Sequence, residues 1–102
     1  MRDIPLTTEP NQEFTVSLDG LRYTLRFKEA NGVMAVDVKV NDLVLLTGGR
    51  VAAGAFLIPY PYLQGDGGNF LLLTDDEALP YWREFNVTQS LVYISAAELA
   101  AL

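Results

Sequence analysis

Between residues 13 and 28, apolar and polar side chains alternate around a single Asp-Gly step. Phe14, Val16 and Leu18 precede the step, and Leu21, Tyr23 and Leu25 follow it. Successive side chains of a strand point to opposite faces, so this period of two predicts a half-buried strand on each side. Asp19-Gly20 suits a two-residue type I′ turn, because both central positions need positive φ. That turn pairs Leu18 with Leu21, Val16 with Tyr23 and Phe14 with Leu25 on one face. The other face then pairs Glu13 with Arg26, Thr15 with Thr24 and Ser17 with Arg22. A charge pair and a Thr–Thr pair are favourable cross-strand neighbours. A slip of one residue would scramble both faces, so the register is well specified.

The pattern continues downstream. Asn31-Gly32 is a tight-turn signal. Residues 33–40 alternate again, with Met34, Val36, Val38 and Val40 against Ala35, Asp37 and Lys39, which predicts a third strand. Asn41-Asp42 tolerates positive φ and predicts a second tight turn after it. Residues 43–47 are apolar at both parities, so Val44 and Leu46 form a second apolar face that is covered by the leader or by another subunit. Gly48-Gly49 is expected to break this strand. Residues 50–58 are expected to form one further strand, with a bulge or sharp bend at Gly54. Residues 59–68 form a Pro- and Gly-rich loop that displays Tyr60 and Tyr62. Residues 69–74 and 90–94 read as strands, and residues 75–82 as a loop or one short helical turn. Ser95 and Glu98 have the spacing of a capping box, which predicts a short helical turn near the end of the chain. Residues 1–12 read as an extended leader, since Pro5 and Pro10 disfavour helix, with Ile4 and Leu6 as anchors. These elements predict one all-β domain over residues 1–102, with a C-terminal tail at 95–102. The expected architecture is a small antiparallel β-barrel of about six to seven strands.

Composition narrows the chemistry. The chain has 102 residues, half of them hydrophobic, enough for one packed core. It contains neither cysteine nor histidine. Disulfides, thiolate nucleophiles, imidazole bases and most zinc or haem ligation are thereby excluded. The net charge is −6, and the seven Lys and Arg are scattered along the sequence, which argues against nucleic acid as a partner. The first residues lack the apolar core of a secretory signal, and the apolar runs are far shorter than the roughly 20 residues that span a bilayer, so no membrane partner is expected.

The carboxylates Asp75, Asp76 and Glu77 are adjacent rather than spaced as in calcium loops, and read as a solvated loop. Glu77 and Glu84 have nothing that marks them as a glycosidase pair. Ser90 and Ser95 have no base to activate them, and the glycines at 65, 67 and 68 lack the Lys-Ser/Thr of a phosphate loop. No catalytic, metal or cofactor site is therefore expected. Tyr60, Tyr62, Tyr81 and Trp82 sit among prolines, which hold aromatic side chains in the manner of interface anchors. The candidate interface residues are Val44, Leu46, Tyr60, Tyr62 and Trp82. Leu46→Asp is expected to weaken assembly while the isolated domain stays folded; unfolding would mark Leu46 as core.

Three segments together resemble the phage baseplate plug family of cyanophage tails. One is Ile4-Pro5-Leu6, followed by Gln12-Glu13-Phe14 and by Leu18-Asp19-Gly20-Leu21-Arg22-Tyr23. Another is Asn31, then Val36-Asp37-Val38, then Leu45-Leu46-Thr47-Gly48, and the last is Leu91-Val92-Tyr93-Ile94. Their order and spacing carry the resemblance, which covers roughly residues 4–94. Met34-Ala35 stand where the family pattern has tryptophan. The resemblance implies a structural, non-enzymatic component at the distal end of a phage or prophage tail, made in the host cytoplasm and then built into the virion. It implies other tail or baseplate proteins, hub or tube, as partners, with an oligomer in the assembled tail allowed. It brings no catalytic residues. The alternative is a small β-barrel that binds oligosaccharide or another ligand through Tyr60, Tyr62 and Trp82.

Overall fold

The computed structural model describes residues 2–58, 67–75 and 78–101. Among them are seven strands: β1 (Arg2–Ile4), β2 (Gln12–Leu18), β3 (Leu21–Ala30), β4 (Val33–Val40), β5 (Leu43–Arg50), β6 (Asn69–Thr74) and β7 (Gln89–Ile94). A short helix, α1 (Ala96–Ala100), follows. The strands form two antiparallel sheets, a four-stranded meander in the order β2-β3-β4-β5 and a three-stranded sheet in the order β1-β7-β6.

The meander follows its turn chemistry. All six pairs expected between β2 and β3 are present, from Glu13 opposite Arg26 to Leu18 opposite Leu21. The hydroxyls of Thr15 and Thr24 meet at 3.1 Å. Asp19 and Gly20 have φ of 53° and 76°, Asn31 and Gly32 of 52° and 80°, and Asn41 and Asp42 of 50° and 70°. Positive φ at both central residues is what a right-twisted hairpin requires.

β5 departs from expectation. It does not stop at Gly48-Gly49 but runs on to Arg50, because two bulges absorb the irregularity. Val44 lies opposite Lys39 and Leu46 opposite Val38, so Leu45 is one extra residue. Gly49 lies opposite Val36, so a second extra residue falls at Thr47-Gly48. Gly48 takes φ of 66°, and its N–H donates to Asp37 Oδ1 at 2.7 Å. Bulges of this kind bend and twist a strand without ending it.

The all-β class holds, but the sheets do not close into the expected barrel. Residues 50–58 are not one strand. Val51 still donates to Met34 O at 2.9 Å, after which the chain turns sharply at Gly54, with φ of 69°. It reaches β6 through isolated bridges only, Ala53 to Leu72 and Phe56 to Leu71. No continuous ladder therefore joins β5 to β6, and the two sheets pack face to face instead. The leader is also more than an anchor, since residues 2–4 pair with β7, and Ile4 and Leu6 are buried.

The core lies between the sheets. Tyr23, Leu25, Phe27, Met34, Val36 and Val38 of the meander meet Phe70, Leu72, Leu91 and Tyr93 of the other sheet. Tyr23 stands edge-on to Phe70 at 5.3 Å, and Phe70 packs on Tyr93 at 5.1 Å. Such aromatic pairs add about 0.5–1.5 kcal/mol each beyond the area they bury.

Candidate functional site

The positions that carry the family resemblance serve the fold. Ile4 and Leu6 fill the core at the edge of the small sheet. Gln12 accepts from Thr7 N at 2.9 Å and donates to Thr7 O at 2.8 Å, which closes the loop before β2. Asp37 accepts from Gly48 N and receives Lys28 Nζ at 3.0 Å. The backbone donor, then the lysine, holds its carboxyl below the usual carboxylate range. Tyr93 donates its hydroxyl proton to Asp19 Oδ2 at 2.7 Å and accepts from Gly68 N at 2.9 Å, tying the first hairpin turn to the opposite sheet. Burial, and then the bond to Asp19, push its ionisation well above that of an ordinary phenol.

The surface left free is apolar in several places. Leu43 and Val44 on the outermost strand of the meander are 67% and 55% exposed. Leu79 is 75% exposed, and with Val33 and Pro80 it lines a shallow cleft over Met34 and Val51. Gln89, itself buried, accepts from Tyr81 N and donates to Leu79 O, both at 2.9 Å. That buried amide fixes the loop that presents Leu79 and Tyr81, which lowers the ordering cost of a contact made there. Phe56, which bridges to Leu71 of β6, and Leu73 on β6 are also exposed.

The interface residues singled out in the sequence fall in different settings. Val44 is exposed on the outer face, beside Lys39. Leu46 turns inward opposite the fully buried Val38 and packs on the core, because the extra residue Leu45 reverses the parity between them. Trp82 begins a single 3-10 turn (Trp82–Glu84) and packs half-buried on the core. Its indole N–H donates to Glu29 Oε2 at 2.8 Å, and the Arg83 guanidinium lies 4.9 Å over its ring. Tyr60 and Tyr62 lie outside the described residues, as do Asp76 and Glu77. Leu43, Val33 and Leu79 carried no sequence signal, since single aliphatic residues next to turns read equally as core.

Two of the polar candidates, Ser95 and Glu84, are engaged structurally. Ser95 caps α1, with Glu98 N donating to Ser95 Oγ at 3.2 Å and Ser95 N donating to Glu98 Oε1 at 3.1 Å. Glu84 accepts from the Thr88 hydroxyl at 2.9 Å. Ser90 is exposed in a hollow shared with Asp3 and Asn86. Among the described residues, no three acidic side chains come close enough to hold a metal ion.

The polar parity of the first strands gathers into a basic face. Arg22, Arg26 and Lys28 alternate along β3, and cross-strand pairing adds Lys39 and Arg50 to the same outer face of the meander. They account for most of the seven Lys and Arg in the chain.

A protein-family model described as the cyanophage baseplate Pam3 plug gp18 matches residues 1–96, a span that includes every strand of both sheets. No curated protein matches the chain. The match extends from β1 through the capped start of α1, and the chain belongs to the cyanophage baseplate plug family, with a structural role in a phage baseplate.

Proposed function

We propose that the protein works at the distal end of the tail, in or near the central hub of the baseplate, by protein–protein assembly and without catalysing a reaction. The family match over residues 1–96 carries this reading. The chemistry of the fold supports it. Side chains such as Gln12, Gln89, Tyr93 and Ser95 are used for caps, turns and ties between elements, while Leu43, Val44, Leu79 and Tyr81 are left at the surface. Exposed aliphatic and aromatic side chains on an ordered scaffold are what a docking contact needs. The protein is made in the host cytoplasm and joins the virion on assembly.

A tagged chain expressed in cells producing the phage tests this directly. Tail proteins should be recovered with it, and gold label should decorate the distal tip of purified particles. Particles without label, together with a chain that recovers no tail protein, would refute the assignment.

A further inference from the structure

We propose that the outer face of the meander docks an acidic protein surface of a neighbouring tail protein, with Arg26 and Lys39 at the centre of the contact. The inference rests on the assembly reading above and adds the face used and the chemistry of the partner.

Strand pairing fixes the layout. One row across the sheet holds Lys28, Ala35 and Arg50, and the next holds Glu13, Arg26 and Asp37. A third row holds Thr15, Thr24, Lys39 and Val44. Lys28 is engaged by Asp37, and Arg22 by Asp42 at 2.6 Å. Among the described residues, Arg26, Lys39 and Arg50 make no salt bridge, and Arg26 acts on the Asp37 carboxylate opposite it only at longer range. Arg26 and Lys39 instead border a shallow hollow floored by Thr24, with Glu13 and Asp37 beside it. These side chains stand on paired strands, so the array is held in register before any partner arrives.

Three physical points select the occupant. The chain carries −6 overall, so an acidic partner is repelled by the molecule as a whole and admitted at this face, which fixes orientation as well as contact. Glu13 and Asp37 flank Arg26 within one row, so a continuous phosphate track would meet two carboxylates, and a nucleic-acid backbone fits poorly. A two-fold pairing of two copies through this face would set cations against cations. A protein surface with spaced carboxylates and an apolar spot for Val44 matches the array.

The test uses tails purified from cells whose phage lacks the gene for this chain, incubated with the purified full chain. Wild-type protein should rejoin these tails and do so several-fold less well as salt rises. The Arg26→Glu/Lys39→Glu variant should bind at least about tenfold more weakly. Arg26→Gln/Lys39→Gln keeps the bulk and removes the charge, and decides the matter should the reversed pair fail to fold. A folded double variant that rejoins tails like wild type would overturn the inference alone. Wild-type chain that does not rejoin at all would defeat the assembly reading and this inference together. Self-association of the purified chain that is lost in the double variant would assign the face to a second copy. A short DNA duplex that perturbs the amide signals of β3 and β4 would assign it to nucleic acid. Either result would overturn the proposal.

Discussion

The two sheets reach similar geometry by different means. In the meander every connection is a two-residue turn with positive φ at both positions, and each strand pairs with its neighbour in sequence. Its register is set within a few residues of each turn. The three-stranded sheet brings together residues 2–4, 69–74 and 89–94 with no tight turn between them. Buried side chains do the work of turns there. Asn69 accepts from Ile58 N at 3.0 Å and donates to Ile58 O at 2.8 Å, copying a strand partner. Asn86 donates to Leu6 O, and Tyr93 reaches Asp19. Long-range contacts must offset a larger loop-closure entropy. A sheet built from such contacts therefore depends on a few groups with no local substitute, whereas the meander spreads its specification over many.

The sharpest test of that difference compares two glycines. A Cβ on Gly68 would lie 1.9 Å from the backbone oxygen of Ile94 and 2.8 Å from the Tyr93 ring. Backbone cannot step aside there, so Gly68→Ala should cost roughly 3–5 kcal/mol, a large part of a typical domain's stability. Gly20, in the first hairpin turn, has φ of 76° and no atom near its Cβ position. Gly20→Ala should cost only the left-handed backbone penalty, about 1–2 kcal/mol. Urea unfolding of both variants measures the gap, and equal losses would remove the distinction between the sheets.

A smaller gap should separate two residues within the meander. Leu46→Asp places a carboxylate against the core opposite Val38 and should destabilise by about 2–3 kcal/mol. Val44→Asp, on the outer face, should stay within about 0.5 kcal/mol of wild type while weakening entry into tails. Thermal melts of the isolated variants decide this. A stable Leu46→Asp domain would restore the assembly role that sequence parity suggests for Leu46.

That parity argument shows where the sequence stops being legible. From β2 to β4 the alternation is unbroken and the turn residues are strong signals, so pairs such as Phe14–Leu25 and Thr15–Thr24 follow from the chain alone. On β5 an extra residue at Leu45 and another at Thr47-Gly48 each reverse the parity; the glycines signal the second, but nothing in the apolar run 43–46 marks the first. The capping box at Ser95 was legible because it is local. The clasp by Asn69, the tether by Gln89 and the arrival of Arg50 on the outer face were not, because each depends on which strands become neighbours. The family resemblance extended further because its motif residues occupy turns, the loop closure by Gln12, the Tyr93–Asp19 tie and core positions.

The last contrast is in pH, and the two sheets should respond at opposite ends of the scale. Tyr93 ionises well above its ordinary value of 10.0 in the folded state, because burial and the bond to Asp19 favour the neutral phenol. A raised folded value means that the unfolded chain releases its proton first, so this stability is complete below about pH 10 and declines as pH rises further. Tyr93→Phe should flatten that decline, while lowering stability at neutral pH by about 1–3 kcal/mol through the unsatisfied Gly68 N–H. Asp37 is the mirror case in the meander. Its folded value is depressed below the ordinary 3.8, chiefly by the Gly48 N–H and then by Lys28. Its contribution is present above that ordinary value and is lost as pH falls through the folded one. Asp37→Asn should remove that acid-limb slope at a cost of about 1 kcal/mol at neutral pH, since the amide oxygen still accepts from Gly48 while the ion pair is gone. Chemical denaturation from pH 2.5 to 11 would read both limbs. An alkaline limb unchanged in Tyr93→Phe would mean that the tie between the sheets contributes nothing as a proton donor, and packing alone would then hold Tyr93 in place.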